Sequence, residues 1–597
     1  MLLTSIDWII IAAYLVFSLV IGVWVARQAG KDSTEFFAAG KNMPWWLLGV
    51  SMVATTFSTD TPNLVTDIVR TQGVAGNWSW WAFLLTGMLT VFVYAQLWKR
   101  SGVLTDVEFY ELRYSGKSAA FLRGFRAVYL GFLFNIIVMA TVSLAAIKLG
   151  TVLMGLTPLQ TILIAGTVTV IYSSLGGLKG ILITDFFQFF LSLLGGLAAA
   201  YYALQHPDVG GLQGLITNAE VVPKLNIFPN FNNPSEMLGL LIIPLAVQWW
   251  SVYYPGSEPG GGGYIAQRMF AAKNENHSVG AVFFFNAAHF ALRPWPWIIV
   301  GLASLIVYPD IASLKEAFPA AAGVADHDMG YPAMLTFLPK GLVGLVLASL
   351  IAAYMSTIST HLNWGSSYLV NDFYKRFIRP ESSEKELVTV GRVSTVILMI
   401  FSGALALGMR SALDNFQILL QIGAGTGLIF ILRWFWWRIN AASEIAAMII
   451  SFLVAIYFRF FHSYTGLPTL TSWQELIWGV VITTIGWVTT MYLTRPTNQQ
   501  RLVKFIELVK PGGPGWQKVR AKAKANGYTI EQEKGGWMVP QGILCMVLGT
   551  IVIYGALLAT GYWIYGNSIP AVTLTIVTVV AGVLLYHAWK KLLSIRD

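Results

Sequence analysis

Two stretches of this 597-residue chain place hydroxyl groups where an apolar helix would be expected. One reads Gly49-Val-Ser-Met-Val-Ala-Thr-Thr-Phe-Ser-Thr-Asp-Thr-Pro62, with seven hydroxyl or acid side chains before a proline. The other reads Leu350-Ile-Ala-Ala-Tyr-Met-Ser-Thr-Ile-Ser-Thr360. A hard cation needs oxygen ligands, and carbonyls freed by a break in the first stretch, facing hydroxyls of the second, would suit a monovalent ion. The alternative is that these Ser and Thr bond back to their own helix and merely bend it. A third feature, Trp249-Trp-Ser-Val-Tyr-Tyr-Pro-Gly-Ser-Glu-Pro-Gly-Gly-Gly-Gly-Tyr264, interrupts another apolar run with Pro and Gly. Arg293 and Asp60 also lie within apolar runs. An isolated charge at the centre of a membrane costs roughly 2.5–3.5 kcal/mol, so each needs a partner or a task. They can pair with each other, or Arg293 can receive a carboxylate from a solute.

The elements carrying these residues belong to an all-α polytopic membrane protein. Apolar residues make up 56% of the chain and charged ones 11%, against roughly 45–50% and 25% in an average soluble protein. Runs long enough to cross a bilayer recur from residue 8 to residue 589 and number about fifteen. The second, 44–72, and the seventh, 237–256, are the interrupted ones, and two broken helices five spans apart point to an inverted-repeat transporter site.

Charge placement sets the orientation. Six basic residues lie between Trp98 and Arg126 and nine between Arg495 and Gly536. With fifteen spans, 31 of the 39 Lys and Arg fall on one face, which the positive-inside rule makes cytoplasmic, with the N-terminus outside and the C-terminus inside. The net charge of +10 therefore reports topology, not nucleic-acid binding. The first span has no basic leader and reads as retained, not as a cleaved signal. The run Gln517 to Lys524 suits a short basic helix, or a solvated linker near anionic lipid. The single Cys545 cannot form an internal disulfide or hold a metal cluster alone, and His289, His361 and His587 are scattered, so a redox pump is excluded. An enzyme is not expected. A membrane sensor built on a transporter fold is the rival reading, but it needs an output domain and residues 495–537 are too few.

Four motifs in order carry a family resemblance: Phe36-Phe-Ala-Ala-Gly-Lys41, Gly176-Gly-Leu-Lys-Gly-Ile-Leu-Ile-Thr-Asp-Phe-Phe-Gln188, Tyr264-Ile-Ala-Gln-Arg268 and Ala352-Ala-Tyr-Met-Ser-Thr357. From about Asp7 to Phe458 the chain resembles the sodium:solute symporters, the group that includes the sodium/glucose and sodium/proline cotransporters. The resemblance implies two inverted five-helix repeats, 44–204 and 237–437, behind a leading helix and loop at 1–43 and separated by an outer loop at 205–236. Two added helices (438–494), a basic cytoplasmic loop (495–537) and two C-terminal helices (538–597) would follow. It implies a co-transported sodium held by the backbone oxygens of Ala54, Phe57 and Ala353 and the hydroxyls of Ser356 and Thr357, with Asp185 an acid on the inner sodium path. In that position Asp185 can also be read as an ordinary first-turn acid of its helix. Thr56, Ser58, Tyr264 and Gln421 resemble solute-facing positions, and Arg293 is added from its charge. The implied activity is sodium-coupled import, across the cell membrane, of a small polar solute: a sugar, polyol, amino acid or carboxylate. The segment from Pro255 to Gly263 has no counterpart in the sugar or proline carriers, and Phe290 falls where sugar carriers have a lysine, which argues against galactose-type recognition.

Overall fold

The computed structural model describes residues 3–29, 33–56, 58–251, 258–409, 420, 422–530 and 537–594. Among them regular structure is almost entirely helical. Among the described residues, eleven helices are long and apolar enough to cross a membrane, from Ser5–Val25 to Ser568–Leu593. Four shorter apolar helices, Trp45–Thr56, Pro158–Ser174, Pro234–Ala246 and Ile422–Leu432, lie where the remaining spans were expected. Ile9, Val16 and Trp24 of the first helix are exposed, as lipid-facing side chains are.

The hydroxyl-rich second span breaks as its composition predicts: Trp45–Thr56 ends and Asp60–Gln72 begins four residues later. Thr56 does bond back to Met52 and Val53 carbonyls at 3.0 and 2.9 Å, so the bending chemistry is present within the break and is no alternative to it. The seventh span is interrupted too, with a short turn at Gln248–Trp250 and an inner half at Gly263–Ala271. Backbone bonds join the inner halves of the two broken helices: Met43 N–H donates to Ala271 O at 2.9 Å and Lys273 N–H to Met43 O at 3.0 Å.

Two expected spans, near 158–175 and 181–204, are one element, Pro158–Leu204, kinked where Gly177 takes φ 52° and ψ −163°. Only glycine adopts that backbone without strain, so the chain reverses course without a loop. Its start is fixed by Pro158 and a reciprocal Thr157–Gln160 capping box. The helix Leu342–Ser367 carries the second hydroxyl cluster unbroken through the core.

In the basic stretch after Arg495 the expected short basic helix forms, and with its neighbour it makes a folded cap instead of a solvated linker. Helices Gln499–Val509 and Gln517–Ala525 bury Phe505, Val509 and Trp516. Trp516 lies under Arg113, 4.7 Å from the guanidinium carbon to the ring centre, and donates to Trp434 O at 3.1 Å. The helix Val539–Ile564 packs on the third span through Gly542 and Gly549, and Tyr554 donates to Trp81 O at 2.8 Å.

Candidate functional site

A helix that ends in the membrane leaves carbonyls that need donors. At the end of Trp45–Thr56, Val53 O accepts from Arg293 at 3.0 Å, Thr55 O from the Thr357 hydroxyl at 2.7 Å, and Thr56 O from the Thr61 hydroxyl at 3.3 Å. Among the described residues no donor reaches the carbonyl of Ala54. Opposite stand Ala353, Ser356 and Thr357, all buried. Of the five expected sodium ligands, Thr357 bonds the broken helix end directly and Ser356 bonds Asp185, which also accepts from Ser51 of that helix, while Ala54 and Ala353 are buried on the two helices and Phe57 lies outside the described residues.

Asp185 is joined to this locus. It lies two turns beyond the Gly177 break, past the first turn of its helix, and is fully buried. Its carboxylate accepts from Ser356 at 2.7 Å and from Ser51, with the Arg268 guanidinium 3.8 Å away. Arg268 also donates to Ser51 at 3.1 Å and to Thr360 at 2.8 Å. The node therefore ties both inner half-helices to the kinked helix and to Leu342–Ser367. A buried carboxylate and guanidinium must compensate each other, and here hydroxyls satisfy their remaining lone pairs and protons.

A second locus begins at Thr56. A cavity of about 40 Å³ has Thr56, Thr86, Thr90, Glu258, Tyr264, Asn286 and His289 among its lining, with Phe83, Phe285, Phe290, Ile265 and Val282 making the larger, apolar part of the wall. Trp80 stacks behind Phe290, 5.9 Å between ring centres. Thr56 and Tyr264, two of the residues expected to face solute, both line this cavity. Ser58 is buried but is not among the lining residues, and Gln421 lies outside the described residues.

Arg293 stands one side chain behind the wall. It is buried, donates to Val53 O and to Thr56 Oγ1 at 3.3 Å, meets His289 Nδ1, and lies 5.4 Å from the Trp297 ring centre. Asp60 is not among these partners, so the expected Arg293–Asp60 pair does not form. The helix end supplies the oxygens that Arg293 needs. A guanidinium only donates, so His289 Nδ1 accepts, and the neutral ring carries its hydrogen on Nε2.

Sequence reasoning missed Arg268, Glu258, Asn286 and His289. The last two share a helical face with Arg293 at spacings of three and four residues, a signal present in the chain. Glu258 was hidden in a glycine-rich run that reads as a turn. Arg268 carried no local signal, since its acid is 83 residues away.

Comparison with known proteins follows the same lines. The model of the sodium:solute symporter family matches residues 36–451. The sodium/glucose cotransporter of Vibrio parahaemolyticus is 27% identical over 478 residues, covering 77% of this chain and 86% of its own length. Sodium/myo-inositol cotransporter 2 of Oryctolagus cuniculus is 26% identical over 481 residues, covering 75% and 69%. A sodium-coupled sialic acid symporter, solved substrate-bound and outward-open, shares the fold with a TM-score of 0.66 at 22% identity, over 83% of this chain and 99% of its own.

Proposed function

Because the chain belongs to the sodium:solute symporter family it is a sodium-coupled symporter of a membrane, and we propose that it imports a small polar organic solute by alternating access. No bond is made or broken. Sodium binds at the break through the oxygens of Ala54, Phe57, Ala353, Ser356 and Thr357, beside the acid Asp185. The solute binds in the cavity lined by Thr56 and Tyr264, with Gln421 as a further contact implied by the family resemblance and Arg293 holding Thr56 and His289 in place.

One observation carries the reading: the residue whose carbonyl bonds Thr357 at the cation locus, Thr55, is the neighbour of Thr56 on the cavity wall. An ion that draws the freed helix end toward Ser356 and Thr357 also fixes one wall of the solute site. Such coupling is reciprocal, so solute raises sodium affinity by the factor by which sodium raises solute affinity. A cavity of about 40 Å³ has room for only a few waters, so admitting a sugar-sized solute requires its walls to move apart, as alternating access does. Relatives named for glucose and myo-inositol support a sugar or polyol cargo. The engagement of Arg293 with the helix end weighs against a carboxylate. The same reading places fifteen crossings in the cell membrane, N-terminus outside, with inverted repeats at 44–204 and 237–437.

Purified protein in liposomes, offered labelled glucose, myo-inositol, proline and lactate under an inward sodium gradient, tests the proposal. At least one solute accumulates above its outside concentration and leaks away when a sodium ionophore collapses the gradient. Uptake that is equal in sodium and in potassium for every solute contradicts it.

A further inference from the structure

The interrupted helix brings one acid to the cavity. Glu258 is 2% exposed, and its Oε1 is held by Arg126 Nη2 at 2.6 Å. Its Oε2 is buried and has no partner among the described residues. The glycines beside it are what allow this: a Cβ on Gly262 would stand 2.9 Å from Oε2. Gly260 and Gly261 run at φ +87° and +84°, a backbone that places the acid at the cavity without a side chain in the way.

The other polar groups on the wall complete a pattern. The Thr90 hydroxyl donates to Thr86 O at 2.8 Å, the Thr86 hydroxyl to Trp249 O, and the Thr56 hydroxyl to the backbone behind it. The Asn286 amide donates to Val282 O at 2.8 Å, while its Oδ1 is buried without a partner. Glu258 Oε2 and Asn286 Oδ1 are thus the unmet acceptors of this wall, Thr56 Oγ1 already accepts from Arg293, and Tyr264 and His289 are the residues that can donate. A buried acceptor left unmet is costly, so the occupant must bring donors. Charge narrows its class. Beside the cavity Arg126 holds Glu258 and lies near Asp106, while Arg433, 3.4 Å away, and Arg113 lie near Glu444. Three cations already match three acids, so an ammonium would bring charge with no partner, whereas a hydroxyl brings a donor alone.

We infer that Glu258 is the residue that selects the solute: fixed by Arg126 through Oε1, it accepts a hydroxyl hydrogen of a neutral polyhydroxylated solute on Oε2. This rests on the reading of the cavity as the solute site. The test uses full-length purified protein, thermal shift and direct binding in saturating sodium, and the probes glucose, galactose, myo-inositol, mannitol, choline and lactate. In the wild type at least one of the four neutral probes binds, and neither choline nor lactate does. Glu258→Asp keeps the charge facing Arg126 but withdraws Oε2 by a methylene. It weakens that probe about tenfold or more, the factor carried by a hydrogen bond to a charged group. The stabilisation by sodium alone stays as in the wild type, which shows the variant folded. Asn286→Leu, near in size, separates the two claims. If Asn286→Leu loses the probe while Glu258→Asp binds it within twofold of wild type, the cavity is the solute site but the selection by Glu258 is overturned. If both variants bind it normally, the cavity assignment fails as well. Binding of choline or lactate only, or of no probe, overturns the neutral class.

Discussion

Replacing Ser356 and Thr357 together with Ala removes two of the proposed sodium ligands and leaves an apolar helix able to insert. Without the ion, Thr357 donates to Thr55 O and Ser356 to Asp185, each at 2.7 Å and buried. The first is a neutral bond, about 1 kcal/mol, and the second a bond to a charged group, about 1.5–3 kcal/mol, so the sodium-free variant should be less stable by about 2.5–4 kcal/mol. With the ion, each hydroxyl contact resembles a charge-assisted bond, and about 3–6 kcal/mol for the pair is partly offset because both hydroxyls must first leave their present acceptors. A net loss of about 3 kcal/mol corresponds to ~100-fold more sodium at half-saturation, with Thr357→Ala alone near tenfold. Sodium titration of purified protein, followed by tryptophan fluorescence or by melting temperature, reads this directly. A folded double variant whose half-saturating sodium stays within twofold of wild type would refute the site.

Further outcomes follow from other parts of the molecule. In a Cys545→Ser background, Lys522→Cys on the exposed basic helix should react with an impermeant maleimide in inside-out vesicles only, and labelling of intact cells would reverse the assigned orientation. Trp516→Ala removes the contact with Arg113 and the bond to Trp434, and should lower stability by about 3–5 kcal/mol, as truncation of a buried aromatic does. Its half-saturating sodium should be unchanged, and an unaltered melting curve would show that the cap carrying Trp516 does not dock. Arg293→Gln and Asp60→Asn should act additively on melting within about 0.5 kcal/mol, since Arg293 is bonded to the helix end. Coupling above about 1 kcal/mol would restore the direct pair.

The breaks were legible because they are local: hydroxyls, proline and glycine inside apolar runs change what the backbone can do whatever lies nearby. The meeting of the freed helix end with the Thr357 hydroxyl was legible for the same reason, since the break and the facing hydroxyl cluster are both written in short stretches. The Asp60–Arg293 pairing failed because two charges at membrane depth in different helices need not meet, and the broken helix's own carbonyls compete for the guanidinium. The 499–525 cap was read as a short basic helix or a solvated linker, and its burial was missed because it depends on Trp516 meeting Arg113, some four hundred residues earlier. Arg268 escaped for the same reason: its acid and hydroxyls come from three other elements. Glu258 lay in view, but a glycine-rich run announces a turn and says nothing about the cavity on which the turn closes.

The central claim, that the ion at the helix break and the solute at the neighbouring wall stabilise one another, is tested most directly by sodium affinity measured at rising concentrations of the solute that uptake identifies. The account predicts that saturating solute lowers the sodium Kd, and that saturating sodium lowers the solute Kd by the same factor. A sodium Kd that does not move at saturating solute would contradict it.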